Sequence, residues 1–153
     1  MKDIIETIAR GVCVKSGRIL LCQTNGADIT YLPGGHTEFN ETARISLERE
    51  IEEELGLESC AGRFLGMVEH SFVQKGSPHC EWNVCFELNI ESLDPDDKVE
   101  AAEDHISFLW CEISELKAAK LEPDVLCDLI PQWLSESGEC GTWTSGGNFS
   151  TEE

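Results

Sequence analysis

The order of apolar and polar residues divides most of the chain into short strands and a few helices. Residues 5–14 (Ile-Glu-Thr-Ile-Ala-Arg-Gly-Val-Cys-Val) are rich in β-branched side chains, the composition of a strand. Lys15-Ser16-Gly17-Arg18 supplies a turn, and residues 19–23 complete a hairpin. Asn25-Gly26 marks a second turn, after which residues 29–32 give a short strand that stops at Pro33-Gly34-Gly35. From about Glu41 to Leu55 the spacing becomes helical. Ala43, Leu47, Ile51 and Leu55 form an i, i+4 stripe, with Asn40 as the expected N-cap and Gly56 as the stop. A strand over 64–72 precedes the clearest alternation in the chain, over 79–90. Cys80, Trp82, Val84, Phe86, Leu88 and Ile90 share one face; His79, Glu81, Asn83, Cys85, Glu87 and Asn89 share the other. That pattern predicts a strand with one buried face, Trp82 on the core side and Asn83 on the polar side. Residues 91–104 hold seven acids and one lysine and read as a solvated loop. A strand over 106–111 follows, then short helices over 113–121 and 123–134, where Pro123 is tolerated in a first turn.

Beyond Leu134 the composition changes. Fifteen of the nineteen residues over 135–153 are Ser, Gly, Thr or Glu, which predicts a flexible tail in which Trp143 and Phe149 are the side chains able to dock. Residues 1–134 are expected to form one α/β (α+β) domain, a mixed sheet with a few helices, and 41% hydrophobic residues suffice for a single core. No apolar run exceeds four residues, so no membrane-spanning helix is expected. A net charge of −19 repels phosphate polymers and anionic lipid, which excludes non-specific nucleic-acid or membrane binding as a main activity. A small anionic substrate is admissible if a divalent metal accompanies it. Asp3 and Glu6 interrupt the stretch where an export signal would be apolar, so a cytoplasmic location is expected. The eight cysteines then read as reduced, mostly buried thiols. No Cys-x-x-Cys pair occurs, and Cys80 and Cys85, with His79 adjoining, lack the second pair of a zinc site.

The candidate chemistry concentrates around the helix at 41–55. Glu50, Glu53 and Glu54, related by i, i+3 and i+4, cluster on the edge of its apolar stripe. Neighbouring like charges destabilise a helix by a few tenths of a kcal/mol unless a cation sits between them. Oxygen-only ligands in this number suit magnesium, with manganese as the other candidate. Taken alone the helix reads first as a Glu-rich solvated one. A longer pattern changes this: Gly35, five residues, Glu41, seven residues, then Arg49-Glu50-Ile51-Glu52-Glu53-Glu54-Leu55-Gly56-Leu57. It resembles the Nudix box at every defined position, a coincidence of chance on the order of one in a billion per start site. The context is similar too, with Tyr31-Leu32-Pro33 leading into the box and a late strand carrying Trp110.

The resemblance implies the Nudix fold, a mixed β-sheet sandwiched between helices, and metal-dependent hydrolysis of a nucleoside diphosphate linked to another moiety. Carried over by position, Gly35 (through its carbonyl), Glu50, Glu53 and Glu54 are metal ligands, and Glu50 doubles as base for the attacking water. Arg49 holds the carboxylates by ion pairing and Glu41 supports the loop–helix geometry. Some members add an acid from the loop before the last strand; Glu103 is the candidate here, ahead of Glu100 and Asp104. The implied cofactor is Mg2+ or Mn2+, and the implied partner a small nucleotide-type molecule, with the protein a monomer or homodimer. The alternative is a Nudix-fold module that binds a nucleotide without cleaving it; such modules commonly lose box glutamates, and this chain has kept them all. Markers of the ADP-ribose, dinucleoside polyphosphate, NADH and coenzyme A subfamilies are absent, so the substrate is not legible. Tyr31, Phe72 and Trp82 are candidates for stacking a base, Asn83 for reading a base edge, and His36 lies next to the expected phosphates.

Overall fold

A computed structural model describes residues 3–136 and 141–147. Strand β1 (Ile5–Val12) is followed by the short β2 (Val14–Lys15), then β3 (Arg18–Thr24) and β4 (Gly34–His36). Helix α1 (Ala43–Leu55), β5 (Cys60–Gln74), β6 (Ser77–Asn89), β7 (Ile106–Glu112) and α2 (Leu126–Ser135) complete the order. One sheet has the order β4-β1-β6-β5 and is mixed, because β1 and β6 run parallel; the other is antiparallel, β2-β3-β7.

The helices cover opposite sides of the larger sheet. Leu47 and Ile51 of α1 pack with Val84, Phe86 and Leu88 of β6 and with Leu20 and Cys22 of β3. Leu126, Ile130 and Trp133 of α2 pack with Cys85 of β6, Leu65 and Val68 of β5, and Ile19 and Leu21 of β3. Alternate residues of one strand therefore serve two cores, each buried Leu, Ile or Phe side chain contributing about 1.5–3 kcal/mol. Gly66 is what admits α2 to β5, since a Cβ there would press into the Trp133 indole.

Several expectations are corrected. β6 has two buried faces rather than one: Asn83, Val84, Cys85 and Phe86 are all buried. Asn83 is not solvent-facing, and Trp82 is not core but 42% exposed, outside the cluster that α1 covers. The short strand expected over 29–32 is replaced by two single bridges, Cys22↔Tyr31 and Thr30↔Leu121. Gly34–His36, read as a strand stop, is itself a strand because β1 offers it a free edge. Thr42, not Asn40, caps α1: its Oγ1 accepts from the Ile45 amide at 3.2 Å, while Asn40 takes a left-handed φ of 66°. The helix expected over 113–121 is one 3₁₀ turn, Ile113–Glu115, followed by turns, and α2 starts at Leu126.

The seven described cysteines are free thiols; Cys60 and Cys80 are exposed and the other five buried. Trp143 packs its ring on Phe64 at 5.5 Å and on Phe86 at 6.2 Å, and its carbonyl accepts from Arg44. Phe149 lies outside the described residues.

Candidate active site

Two glycines seat α1 against the edge of the larger sheet. β4 pairs with β1 through Gly34↔Arg10, Gly35↔Ala9 and His36↔Ile8. Gly34 has φ +136°, and a Cβ there would run into the Ala9 carbonyl, so only glycine fits. A Cβ on Gly35 would collide with the Glu50 carboxylate; its absence lets that carboxylate lie directly on the strand.

Arg49 ties the loop before the helix to the helix itself. Its Nε and Nη2 donate to the two oxygens of Glu41 at 3.1 and 2.7 Å, and Nη2 also donates to the His36 carbonyl at 3.0 Å. Nη1 donates to Glu50 and Glu53, each at 3.1 Å. The fork geometry of a guanidinium is what permits this many simultaneous contacts. These carboxylates raise the pKa of Arg49, Glu41 foremost, and Arg49 in turn holds Glu41 below the usual carboxylate range. Ser46 adds a hydrogen bond to the His36 carbonyl at 3.2 Å.

Between α1, the β1–β4 edge and the segment entering β7 lies a cleft of about 370 Å³. Glu50 and Glu54 enter from α1, Glu103 and His105 from the opposite wall, Glu81 from β6, Ile8 and Arg10 from β1, with Tyr31, His36 and both glycines. Glu54 is only 7% exposed. Burial pushes its carboxyl up to about 8, the charge of Glu50 adds to the rise and that of Glu103 adds again, while Arg10 opposes it. Glu50 is also raised, chiefly by burial. A larger cavity, about 590 Å³ near Gly56, Cys60 and Asn89, lies apart from these carboxylates.

Of the residues singled out from sequence, Gly35, Glu50, Glu54 and Glu103 come together in the cleft, with His36 and Tyr31. Glu53 does not line it: its half-exposed side chain lies along Arg49 at the rim. Among the described residues, no three His, Cys, Asp or Glu side chains are arranged as they stand to hold a metal ion. Phe72 stacks on His79 at 5.0 Å rather than lining the cleft. Sequence reasoning missed Arg10, Glu81 and His105. None belongs to a motif, and only the parallel pairing of β1 with β6 brings Arg10 beside Cys85, two residues from Asn83.

A NUDIX-domain family model matches residues 6–129. The chain belongs to the NUDIX-domain family, and it is a hydrolase acting on phosphoanhydride bonds. A search of curated proteins returns no match. Among solved structures, the chain is similar to a MutT protein from Methanosarcina mazei Go1, with TM-score 0.65 and 20% identity over 87% of this chain and 95% of that one. It is similar to the ORF135 protein of E. coli, with TM-score 0.62 and 22% identity over 87% and 91%. A UDP-X diphosphatase gives TM-score 0.61 and 20% identity over 88% of this chain and 64% of that one. At these identities the likeness is one of fold, and the mixed α+β architecture expected from sequence is the one observed.

Proposed function

We propose that the chain is a divalent-metal-dependent pyrophosphohydrolase that cleaves a nucleoside diphosphate linked to another moiety, by attack of water on phosphorus. The observation that carries this reading is the crowding of Glu50, Glu54 and Glu103 around one cleft, where burial lifts Glu54 to about 8. Carboxylates gathered in a poorly solvated place with little opposing charge are what an oxygen-seeking dication relieves. The donor set fits Mg2+ or Mn2+: the Gly35 carbonyl and the carboxylates of Glu50 and Glu54 would hold the ion in the cleft, and Glu53 would join them by turning from Arg49 at the rim. When bound, the ion supplies charge neutralisation on the diphosphate and a more acidic water.

The chain's own residues do the rest. Glu50 rests on the Gly35 backbone with its basicity raised by burial, which suits it to take the proton of the attacking water. Arg49 keeps Glu41, Glu50 and Glu53 in register with the loop. Glu103 faces Glu54 across the cleft as a further acid for orienting water. Residues 1–134 are proposed as the catalytic unit. The substrate is a small nucleotide-type molecule and the setting cytoplasmic; no described helix is long and apolar enough to cross a membrane.

The test is product release from a panel of nucleoside triphosphates and nucleoside diphosphate derivatives, with Mg2+ and with chelator. UDP-linked compounds belong in the panel because a UDP-X diphosphatase shares the fold. Turnover only with metal is expected, with Glu53→Gln losing about 10²–10⁴-fold and Glu48→Gln near normal. Nucleotide binding without turnover of any panel member would instead favour the non-catalytic module.

A further inference from the structure

The only permanent cation among the described residues lining the cleft is Arg10. In a chain of net charge −19, the arginines at 18, 49 and 63 are each ion-paired to carboxylates. No ion pair among the described residues engages Arg10. Its Nη1 donates to the Leu32 carbonyl at 2.9 Å, its Nε donates to Asn83 Oδ1 at 3.3 Å, and its guanidinium stands 5.4 Å from the Tyr31 ring centroid. The Nη2 edge makes no hydrogen bond among the described residues. A guanidinium clamped on two sides and left open on a third, in the wall of a cleft, is preorganised for an anion.

Asn83 is the second observation. It is 1% exposed, on a strand whose neighbouring residues Val84, Cys85 and Phe86 are buried and, save the thiol, fully apolar. A buried amide is costly to desolvate, and an apolar residue of the same volume would serve a merely structural role at least as well. Its Oδ1 accepts from Arg10, and its Nδ2 donates to Glu81 at 3.3 Å and to the Val68 carbonyl at 3.5 Å. Asn83 thus fixes the Arg10 guanidinium through its Oδ1 and is itself fixed through its Nδ2 by Glu81 and the Val68 carbonyl. In the rival role, counterion to Glu54, Arg10 would pair with that carboxylate, yet the two line the same cleft and form no ion pair among the described residues.

We propose that Arg10 grips a non-bridging phosphate oxygen of the substrate from the wall of the cleft, and that Asn83 is the positioning residue that aims its guanidinium. This rests on the pyrophosphohydrolase reading of the same site and deepens it: the diphosphate is held on one side by the carboxylate–metal face and on the other by Arg10.

The experiment is calorimetric titration of the full chain with inorganic pyrophosphate in Mg2+, beside the Mg2+-induced rise in melting temperature without pyrophosphate. Arg10→Gln is expected to weaken pyrophosphate binding at least tenfold and leave the Mg2+-induced rise unchanged, with Arg10→Lys recovering part of the loss. Asn83→Leu is expected to weaken binding severalfold while its melting temperature is kept or raised, a split that damage to the fold would not produce. On any panel substrate that turns over, KM should rise more in Arg10→Gln than kcat falls. Arg18→Gln, which removes the same charge elsewhere, should bind pyrophosphate normally. Pyrophosphate affinity in Arg10→Gln within twofold of wild type, an equal loss in Arg18→Gln, or no binding by wild type would each overturn the proposal. The two readings fail separately: Arg10-dependent binding without metal-dependent turnover sinks the hydrolase alone, and turnover with Arg10-independent binding sinks the anchor alone.

Discussion

Glu54 joins stability to chemistry most directly. Its carboxyl ionises near 4.5 in an unfolded chain and at about 8 in the metal-free fold, because burial first and Glu50 second disfavour the charge. Between those values the folded state keeps a proton that the unfolded state has released, so stability is greatest at the acid end and falls as pH rises. Metal-free protein should therefore lose stability, on the order of a few kcal/mol, between about pH 5 and pH 8 and level off above that. Glu54→Gln, neutral at every pH, should flatten that decline and be more stable than wild type at pH 8. Chemical denaturation across this range in chelator checks it; an unchanged slope in Glu54→Gln would show that some other group carries the dependence. Glu41 has the opposite sign: Arg49 lowers its pKa, so its contribution is present above the usual carboxylate range and is lost in acid.

At the scale of elements, α1 is set by its ends as much as by its stripe. Thr42 caps the first turn, and Gly56, in the left-handed region at φ 69°, returns its amide to the Glu52 carbonyl at 2.8 Å. Thr42→Ala should lower stability by about 1 kcal/mol, whereas Thr42→Ser, which keeps the accepting hydroxyl, should change little; denaturant midpoints of the two variants decide it. The helix, its stop and its carboxylates were legible because they repeat locally and because the box spans them without a gap. The cap was misread because Asn40 and Thr42 are two residues apart and both good caps; only the loop's path separates them. The β6 alternation predicted a strand but not two buried faces, because Asn83 and Cys85 read as polar while Cys85 packs in the core with α2 and Asn83 is buried as well. β4 escaped notice because three residues rich in glycine become a strand only where another strand's edge awaits them. Arg10 and Glu81 were illegible for the same reason: strands distant in sequence bring them to one cleft.

On the scale of the whole molecule, two helices clasp a mixed sheet whose central strands feed both cores, and the site opens at the β4 edge, where glycine makes room for α1. The segment over 141–147 adds to one core through Trp143, on the side of Phe64 and Phe86, and none of it lines the cleft. Truncation after Leu134 should therefore lower stability by about 1.5–3 kcal/mol while leaving hydrolysis within about threefold. A Michaelis constant raised tenfold or more would instead make that segment part of the substrate site. If the carboxylates of α1 hold a catalytic dication, that ion binds only the native state and must raise the melting temperature. The direct measurement is the melting temperature with and without Mg2+ for wild type and for the Glu53→Gln/Glu54→Gln double variant. A rise in wild type and none in the double variant is the expected result. An equal rise in both would place the ion elsewhere, with the acidic residues over 91–104 next in line, and would contradict it.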